Sequence, residues 1–185
     1  MYRNVMMGMV AVVFTAGLGT AQAQEKTTMV GGAAMYPSKD IVANAVNSKD
    51  HTTLVAAVKA AGLVETLQSK GPFTVFAPTN EAFEKLPAGT VDTLLKPENK
   101  ETLKKVLTYH VVAGRLDAKQ LMAMAKKHDG KAELTTVSGD KLWVVADGKG
   151  LTLRDGKGTT ANITIPDVYQ SNGVIHVIDT VVMAK

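Results

Sequence analysis

The chain has 185 residues, with 21 lysines and arginines against 17 aspartates and glutamates and a formal net charge of +4. This length suits one domain with its own hydrophobic core, and the scattered lysines form no basic stripe with interleaved aromatics, which argues against nucleic-acid binding. The absence of cysteine excludes thiol catalysis, disulfide bonds and cysteine-based metal sites, so packing alone must hold the fold.

The N-terminal segment has the pattern of a secretory signal peptide over residues 1–23. Arg3 gives a small positive start, residues 5–19 are uncharged and mainly apolar, and Ala21-Gln22-Ala23 matches a cleavage site. We expect cleavage after Ala23, which predicts a secreted or periplasmic protein without a membrane span. The alternative is a retained N-terminal anchor.

Residues 24–35 have no periodicity and contain paired glycines and alanines, which predicts a flexible leader before one domain over residues 36–185. Apolar residues at helical spacing follow, and capping residues such as Asp40 and Asp117 precede some of these segments. The spacing predicts helices over residues 41–46, 54–61, 63–67, 90–95, 97–107 and 118–127.

Residues 71–87, GPFTVFAPTNEAFEKLP, combine a predicted strand with a predicted helix. The run FTVFA is rich in aromatic and β-branched residues and stops at Pro78, as a short central strand should. Thr79 and Asn80 are favourable helix N-caps, and the apolar residues behind them have helical spacing. Every polar side chain here has a local structural use, so we interpret the stretch as a fold nucleus rather than an active site.

From Ala132 onward the apolar period changes from helical to alternating, which indicates strands. The segments are separated by turn signals, and Asn172-Gly173 predicts a two-residue hairpin before the last strand. A helical first half followed by meandering antiparallel strands predicts the α+β class.

Three segments resemble the signatures of the fasciclin-like domain family. FTVFAPTNEAFEKLP is similar to the first signature, GVIHVIDTVVM to the second, and LTYHVVAG to the central tyrosine-histidine segment between them. They occur in family order, and the resemblance covers residues 36–185. It implies a wedge of two β-sheets with helices packed around its N-terminal half.

No arrangement of residues points to catalysis. None of the four histidines lies four residues from another, there is no G-x-S-x-G elbow, and no single element carries paired carboxylates. The Asp-Gly-Lys-Gly motifs at Asp147 and Asp155 lie between predicted strands, where hairpin turns explain them better than phosphate-binding loops. His51 and His128 are expected to be solvated and His176 to be a core group. We therefore expect no enzyme activity, no metal and no cofactor.

Four residues are candidates for partner binding: Tyr109, His110, Asp167 and Val168. Alternation places Tyr109 and His110 on opposite faces of a predicted strand, where a histidine is usually a hydrogen-bonded core group. The resemblance implies a second role, because the tyrosine-histidine segment of the family is implicated in fold integrity and in adhesion to cell-surface receptors.

Pro166-Asp167-Val168 resembles the Pro-Asp-Ile element that animal relatives present to integrins, with valine in place of isoleucine. The resemblance implies an exposed carboxylate at Asp167 and an adjacent apolar contact at Val168. The alternative is a bend that starts the last hairpin.

These observations predict an exported, non-enzymatic interaction module of the fasciclin type, which associates with an unidentified protein or glycan of a cell surface, matrix or envelope. The alternative is a carrier for an apolar small molecule, since some fasciclin-like proteins are similar to carotenoid-binding modules. Met122, Met124 and Trp143 are candidate liners of a groove for such a molecule, although methionine at helical spacing is more often ordinary core.

Overall fold

The computed structural model describes residues 26–148 and 150–185. The predicted signal peptide, its cleavage site after Ala23 and the first two residues of the predicted leader lie outside this part of the chain. Among the described residues, no helix is both long enough and apolar enough to cross a membrane.

The described end of the predicted leader is a β-hairpin of β1 (Thr28–Val30) and β2 (Ala33–Met35). Val30 and Met35 are each 2% exposed and pack in the hydrophobic core. Both glycines of the turn have φ in the left-handed region that favours glycine. The paired glycines therefore form a turn instead of a linker, and the prediction of a flexible leader is wrong for residues 28–35.

Helices occupy the positions that the sequence predicts. Several begin at a residue whose side chain accepts a backbone hydrogen bond, namely Asp40, Thr79 and Asp117. Gly62 ends another with a φ of 70°. The helices are α1 (Ile41–Ala45), α2 (Thr52–Ala61), α3 (Val64–Gln68), α4 (Asn80–Glu84), α5 (Thr90–Leu95), α6 (Lys100–Tyr109) and α7 (Ala118–Lys127), with 3₁₀ turns at Lys49–His51 and Pro97–Asn99.

The other strands are β3 (Phe73–Pro78), β4 (Val111–Ala113), β5 (Lys131–Thr135), β6 (Lys141–Ala146), β7 (Leu151–Arg154), β8 (Thr160–Gln170) and β9 (Gly173–Ile178). They are hydrogen-bonded in the order β4-β3-β9-β8-β7-β6-β5. The long strand β8 pairs with β7 up to Asn162 and with β9 from Ile163 onward, so it belongs to both halves of a two-sheet wedge. A bridge between Val112 and Thr136 brings the outer strands β4 and β5 together.

The two signature segments are neighbours at the centre of the wedge. β3 and β9 pair in parallel, from Phe73 opposite Gly173 to Pro78 opposite Ile178. A Cβ at Gly173 would overlap the carbonyl oxygen of Phe73, so this close approach requires glycine. The predicted last hairpin is present but shifted by one residue, because Ser171 and Asn172 form its two-residue loop and Gly173 begins β9.

Alternation along β3 and β9 divides the hydrophobic core into two clusters. Val75 and Ile175 face the N-terminal hairpin and the helices α1 to α6. Phe76 and Ile178 face α7 and the strands β5 to β7. Both Asp-Gly-Lys-Gly motifs lie in the connections between β6 and β7 and between β7 and β8, as predicted.

Candidate functional site

His110 lies at the C-terminal end of α6 and not on a strand, because the helix extends to Tyr109 and β4 begins at Val111. Its side chain is 2% exposed. Nδ1 donates to the carbonyl of Val106 at 2.8 Å, and Nε2 accepts from the N–H of Val182 at 3.2 Å. Burial lowers the pKa of His110 to about 4, although the Val106 carbonyl favours the protonated ring. The imidazole is thus a neutral bridge between α6 and the segment after β9.

Tyr109 is the last residue of α6 and is fully buried in the cluster that faces α7. Its hydroxyl donates to the carbonyl of Lys141 at 2.7 Å, which ties α6 to β6. Burial raises the pKa of this phenol. Tyr109 and His110 therefore act inside the fold and present no surface to a partner.

Asp167 and Val168 lie at a β-bulge in β8, where the pairing with β9 shifts between Ile165 and Val168. The bulge changes which side of the strand faces inward, so Val168 is fully buried and is not the exposed apolar contact that was predicted. Asp167 has a φ of 58°, which is uncommon for a residue other than glycine. Its half-buried carboxylate accepts a hydrogen bond through Oδ1 from the N–H of Ala118, the first residue of α7, at 2.7 Å.

His176 supports the bulge from inside the wedge. Its Nδ1 accepts from the N–H of Asp167 at 3.3 Å, and its Nε2 donates to the carbonyl of Leu116 at 2.8 Å. Its ring stacks on Phe76 with centroids 5.6 Å apart. Burial lowers the pKa of His176. As predicted, this residue is a hydrogen-bonded core histidine.

The accessible residues around the bulge are Arg115, Pro166, Asp167 and Tyr169, and we call them the bulge surface. Tyr169 is 41% exposed, because it follows buried Val168 on β8 and its side chain points to the other face of the strand. Its pKa is raised by partial burial and by the negative charge of Asp167, with Arg115 opposing the shift. Aromatic, anionic and cationic groups therefore lie close together here.

Two members of the bulge surface, Tyr169 and Arg115, were not predicted from the sequence. The exposure of Tyr169 follows from strand alternation once Val168 is known to be buried. No local sequence pattern, however, predicts the bulge that buries Val168. Arg115 is held beside β8 because its guanidinium donates to the carbonyls of Gln170 and Ser171 at 2.9 and 3.2 Å. These contacts join distant parts of the chain, so no sequence pattern predicts them.

His51 is buried, with 2% exposure, and the prediction of a solvated side chain is wrong. The 3₁₀ turn that contains it directs the ring toward β3. Nδ1 lies 2.9 Å from Oγ of Ser48, whereas Nε2 has no hydrogen-bond partner among the described residues. The ring borders an apolar cavity of about 50 Å³ between α1, α2, α3 and β3. Burial lowers the pKa of His51.

The second Asp-Gly-Lys-Gly turn has a structural role. Asp155 is 3% exposed, and its Oδ1 accepts from the N–H groups of Lys157 and Thr159 at 2.9 and 2.8 Å. Its Oδ2 accepts from the N–H of Met183 at 3.0 Å, which ties the turn to the segment after β9. Within residues 26–148 and 150–185, no group of three or more histidine, aspartate or glutamate residues is placed to hold a metal ion.

An α+β wedge with helices packed around its N-terminal half is the fold that the resemblance to the fasciclin-like family implies. The chain belongs to the fasciclin domain family, whose model matches residues 49–184. The predicted family and fold are confirmed.

Relatives of known sequence extend over most of the chain. Protein sll1483 of Synechocystis is 46% identical over 91% of this chain and 87% of its own length. The cell surface glycolipoprotein MPB83 of Mycobacterium bovis is 34% identical over 90% of this chain and 71% of its own. A solved FAS1 domain pair from the insect cell adhesion molecule fasciclin I has 23% identity and a TM-score of 0.54, covering 70% of this chain and 43% of that one, which shows the fold alone.

Replacing Asp167 with alanine is expected to lower the free energy of unfolding by about 1–2 kcal/mol, because the N–H of Ala118 loses its acceptor at the start of α7. Asp167→Asn keeps an oxygen acceptor and tolerates positive φ, so its expected cost is about 0.5 kcal/mol. Urea unfolding of both variants measures the difference. An alanine variant as stable as the parent would contradict a stabilising role for this contact.

Proposed function

We propose that the chain is an exported, non-enzymatic adhesion module that associates with a protein or glycan of a cell surface, matrix or envelope. Family membership supports this proposal, since MPB83 is named as a cell surface protein and fasciclin I as a cell adhesion molecule. The signal-peptide pattern of residues 1–23 supports export.

The observation that carries the proposal is the bulge surface. Tyrosine and arginine are enriched among the residues that dominate binding energy in protein interfaces. Tyr169 is exposed on β8, and the guanidinium of Arg115 is held at the carbonyl of the next residue, Gln170. Asp167 adds a carboxylate whose Oδ2 accepts no hydrogen bond from the described residues. The pairing of β8 with β9 and the start of α7 hold these groups in place, so little conformational entropy is lost when a partner binds.

The test is retention of the mature chain on immobilised envelope and matrix fractions from its own source. Tyr169→Ala is expected to weaken retention at least about tenfold, because a central tyrosine contact is lost. Its thermal melt should be unchanged, since the side chain is exposed. Val137→Ala is the control, because Val137 is 46% exposed and lies in the turn between β5 and β6.

Two outcomes would overturn the proposal. One is a parent chain that is retained on none of the fractions. The other is equal retention of the parent and Tyr169→Ala, since the bulge surface would then take no part in binding.

A carrier of an apolar small molecule is the second candidate, and the cavity beside His51 favours it. The lining is apolar apart from the rings of His51 and His110 and the side chain of Lys59. Both ring nitrogens of His110 are hydrogen-bonded, whereas Nε2 of His51 has no partner among the described residues and could bond to one polar group of a ligand. The volume of about 50 Å³ is below the roughly 150 Å³ of an apolar cavity that binds benzene, so a carotenoid would require α1 to α3 to move apart.

The predicted groove liners do not contribute to this cavity. Met122 and Met124 pack against the other core cluster, and Trp143 lies on the outer face of the sheet. An absorption band beyond the aromatic region, in protein purified from its own source, would favour the carrier function. A spectrum of protein alone would count against it.

A further inference from the structure

Trp143 is the only tryptophan of the chain and belongs to neither core cluster. It lies in the middle of β6, where the adjacent Leu142 and Val144 point inward and are fully buried. Its Cα partners are Glu133 on β5 and Arg154 on β7. The half-buried indole is therefore at the centre of a row of charged side chains across the outer face of the sheet.

Two cationic side chains, those of Lys131 and Arg154, lie beside this indole. Nζ of Lys131 lies 4.9 Å from the centroid of the Trp143 ring. A groove of about 400 Å³ extends from this pair to the turn between β7 and β8. Arg154 at the end of β7 and Lys157 in the turn line it. The side chains of Arg154 and Lys157 form no hydrogen bond or salt bridge with the described residues. The groove is therefore an uncompensated positive site.

Asp155, the acidic residue in the groove lining, does not neutralise the positive charge of the groove. Asp155 is 3% exposed, and both of its carboxylate oxygens accept hydrogen bonds from backbone N–H groups. Its charge is directed into the fold, whereas the charges of Lys131, Arg154 and Lys157 face solvent. A cleft lined by charge of one sign concentrates ligands of the opposite sign.

We propose that this groove binds an acidic saccharide, with one sugar ring stacked on Trp143 and its carboxylate or sulfate held by Arg154 and Lys157. The indole supplies a flat apolar surface for the C–H face of the sugar. The guanidinium of Arg154 can bind an anionic group through two hydrogen bonds, and Lys157 adds a point charge. This inference rests on the proposed adhesion function and names the chemical class of one partner.

The surroundings favour a saccharide over a nucleic acid. A single aromatic ring cannot stack successive bases along a strand, which is how single-stranded nucleic acids are held. Glu133 lies beside Trp143 in the same row and is paired with Lys141 at 2.8 Å. This carboxylate, held in place by Lys141, can accept hydrogen bonds from sugar hydroxyls. The groove also lies on β6 and β7, apart from the bulge surface on β8.

Because Trp143 is the only tryptophan, its fluorescence reports directly on the groove. The mature chain is titrated with a galacturonic acid tetramer, a neutral glucose tetramer and a tetrathymidylate. We expect a saturable change with the acidic sugar, weakened by added salt, and none with the neutral sugar. Tighter binding of the tetrathymidylate would assign the groove to nucleic acid and overturn the proposal.

The double variant Arg154→Gln, Lys157→Gln is expected to bind the acidic tetramer at least about tenfold more weakly. The control Lys70→Gln, Lys96→Gln makes the same change in net charge at exposed positions of the helical half and should bind like the parent. Equal weakening in both double variants would indicate general charge attraction and overturn the specific site. So would the absence of saturable binding by the parent.

The two proposals can fail separately. Retention on envelope or matrix fractions that depends on Tyr169, without binding of the acidic tetramer, would remove the saccharide site and leave the adhesion function. Binding of the tetramer that depends on Arg154 and Lys157, without any retention, would remove the adhesion function and leave the site as an isolated property.

Discussion

Acidification from pH 7 to pH 4 is expected to destabilise this protein by about 3 kcal/mol through His110 alone. The ordinary pKa of histidine, 6.5, applies in the unfolded chain, and burial lowers the pKa in the folded protein to about 4. Between these two values the unfolded state binds more protons than the folded state. The stability from the neutral ring is therefore fully present above pH 6.5, is lost progressively as the pH falls from 6.5 to about 4, and is absent at lower pH.

Two more histidines contribute in the same direction, because burial lowers the pKa of His51 and of His176 as well. Urea unfolding at pH 7, 5.5 and 4.5 measures the total effect. In His110→Gln the change in unfolding free energy between pH 7 and 4.5 should be clearly smaller than in the parent, whatever the absolute stability of the variant. In His128→Gln, where the replaced ring is exposed, the change should equal that of the parent. A parent-like pH dependence in His110→Gln would contradict the proposed linkage.

The second large effect is expected at Asn172, which is 5% exposed in the loop before β9. Its Oδ1 accepts from the N–H of Ile41 at 3.1 Å, and its Nδ2 donates to the carbonyls of Leu67 and Ser69 at 2.7 and 2.9 Å. Asn172→Ala leaves these three backbone groups without a partner. We expect a loss of about 3 kcal/mol or more in unfolding free energy.

A matched set of variants separates the effect of losing the Asn172 amide from the effect of any change in the loop itself. Asn172→Asp has the same shape but turns a carboxylate oxygen toward two carbonyls, so it should be at least as unstable as the alanine variant. Ser171→Ala changes the exposed neighbour and should stay within about 0.5 kcal/mol of the parent. Thermal melts rank the three variants. An Asn172→Ala variant as stable as Ser171→Ala would show that the amide does not join the loop to α1 and α3.

The parts of the fold that the sequence predicts are those that depend on local patterns. The helices follow from apolar spacing and from caps such as Asp117, and the strands after Ala132 follow from alternation. The resemblance of the signature segments to the fasciclin-like family predicts, in addition, the wedge of two sheets. The parallel pairing of β3 and β9 joins segments that are far apart in the sequence, so no local pattern predicts it.

The errors concern residues whose environment is set by distant contacts. The hairpin at residues 28–35 has a linker-like composition, but Val30 and Met35 are buried by parts of the domain that follow them in sequence. The ring of His51 is buried because it packs against β3, although its own neighbours in sequence are polar.

Two further errors arise at boundaries between regular segments. His110 was predicted to lie on a strand with Tyr109, Val111 and Val112. In the structure α6 continues to Tyr109, so His110 ends the helix instead. Val168 was expected to be an accessible apolar contact from its resemblance to the Pro-Asp-Ile element, but the bulge in β8 turns its side chain into the core. Trp143 was correctly placed in a strand, but its apolar character alone could not indicate an outward orientation.

The position of strand β8 also determines how the domain unfolds. One part of β8 pairs with β7 and the other part pairs with β9. The bridge between Val112 and Thr136 joins the outer strands β4 and β5 on the far side. Neither sheet can lose β8 and remain intact, so we expect neither the helical half nor the meander to stay folded without the other. We therefore expect the domain to unfold as one cooperative unit, in which a loss of structure on either side spreads to the whole.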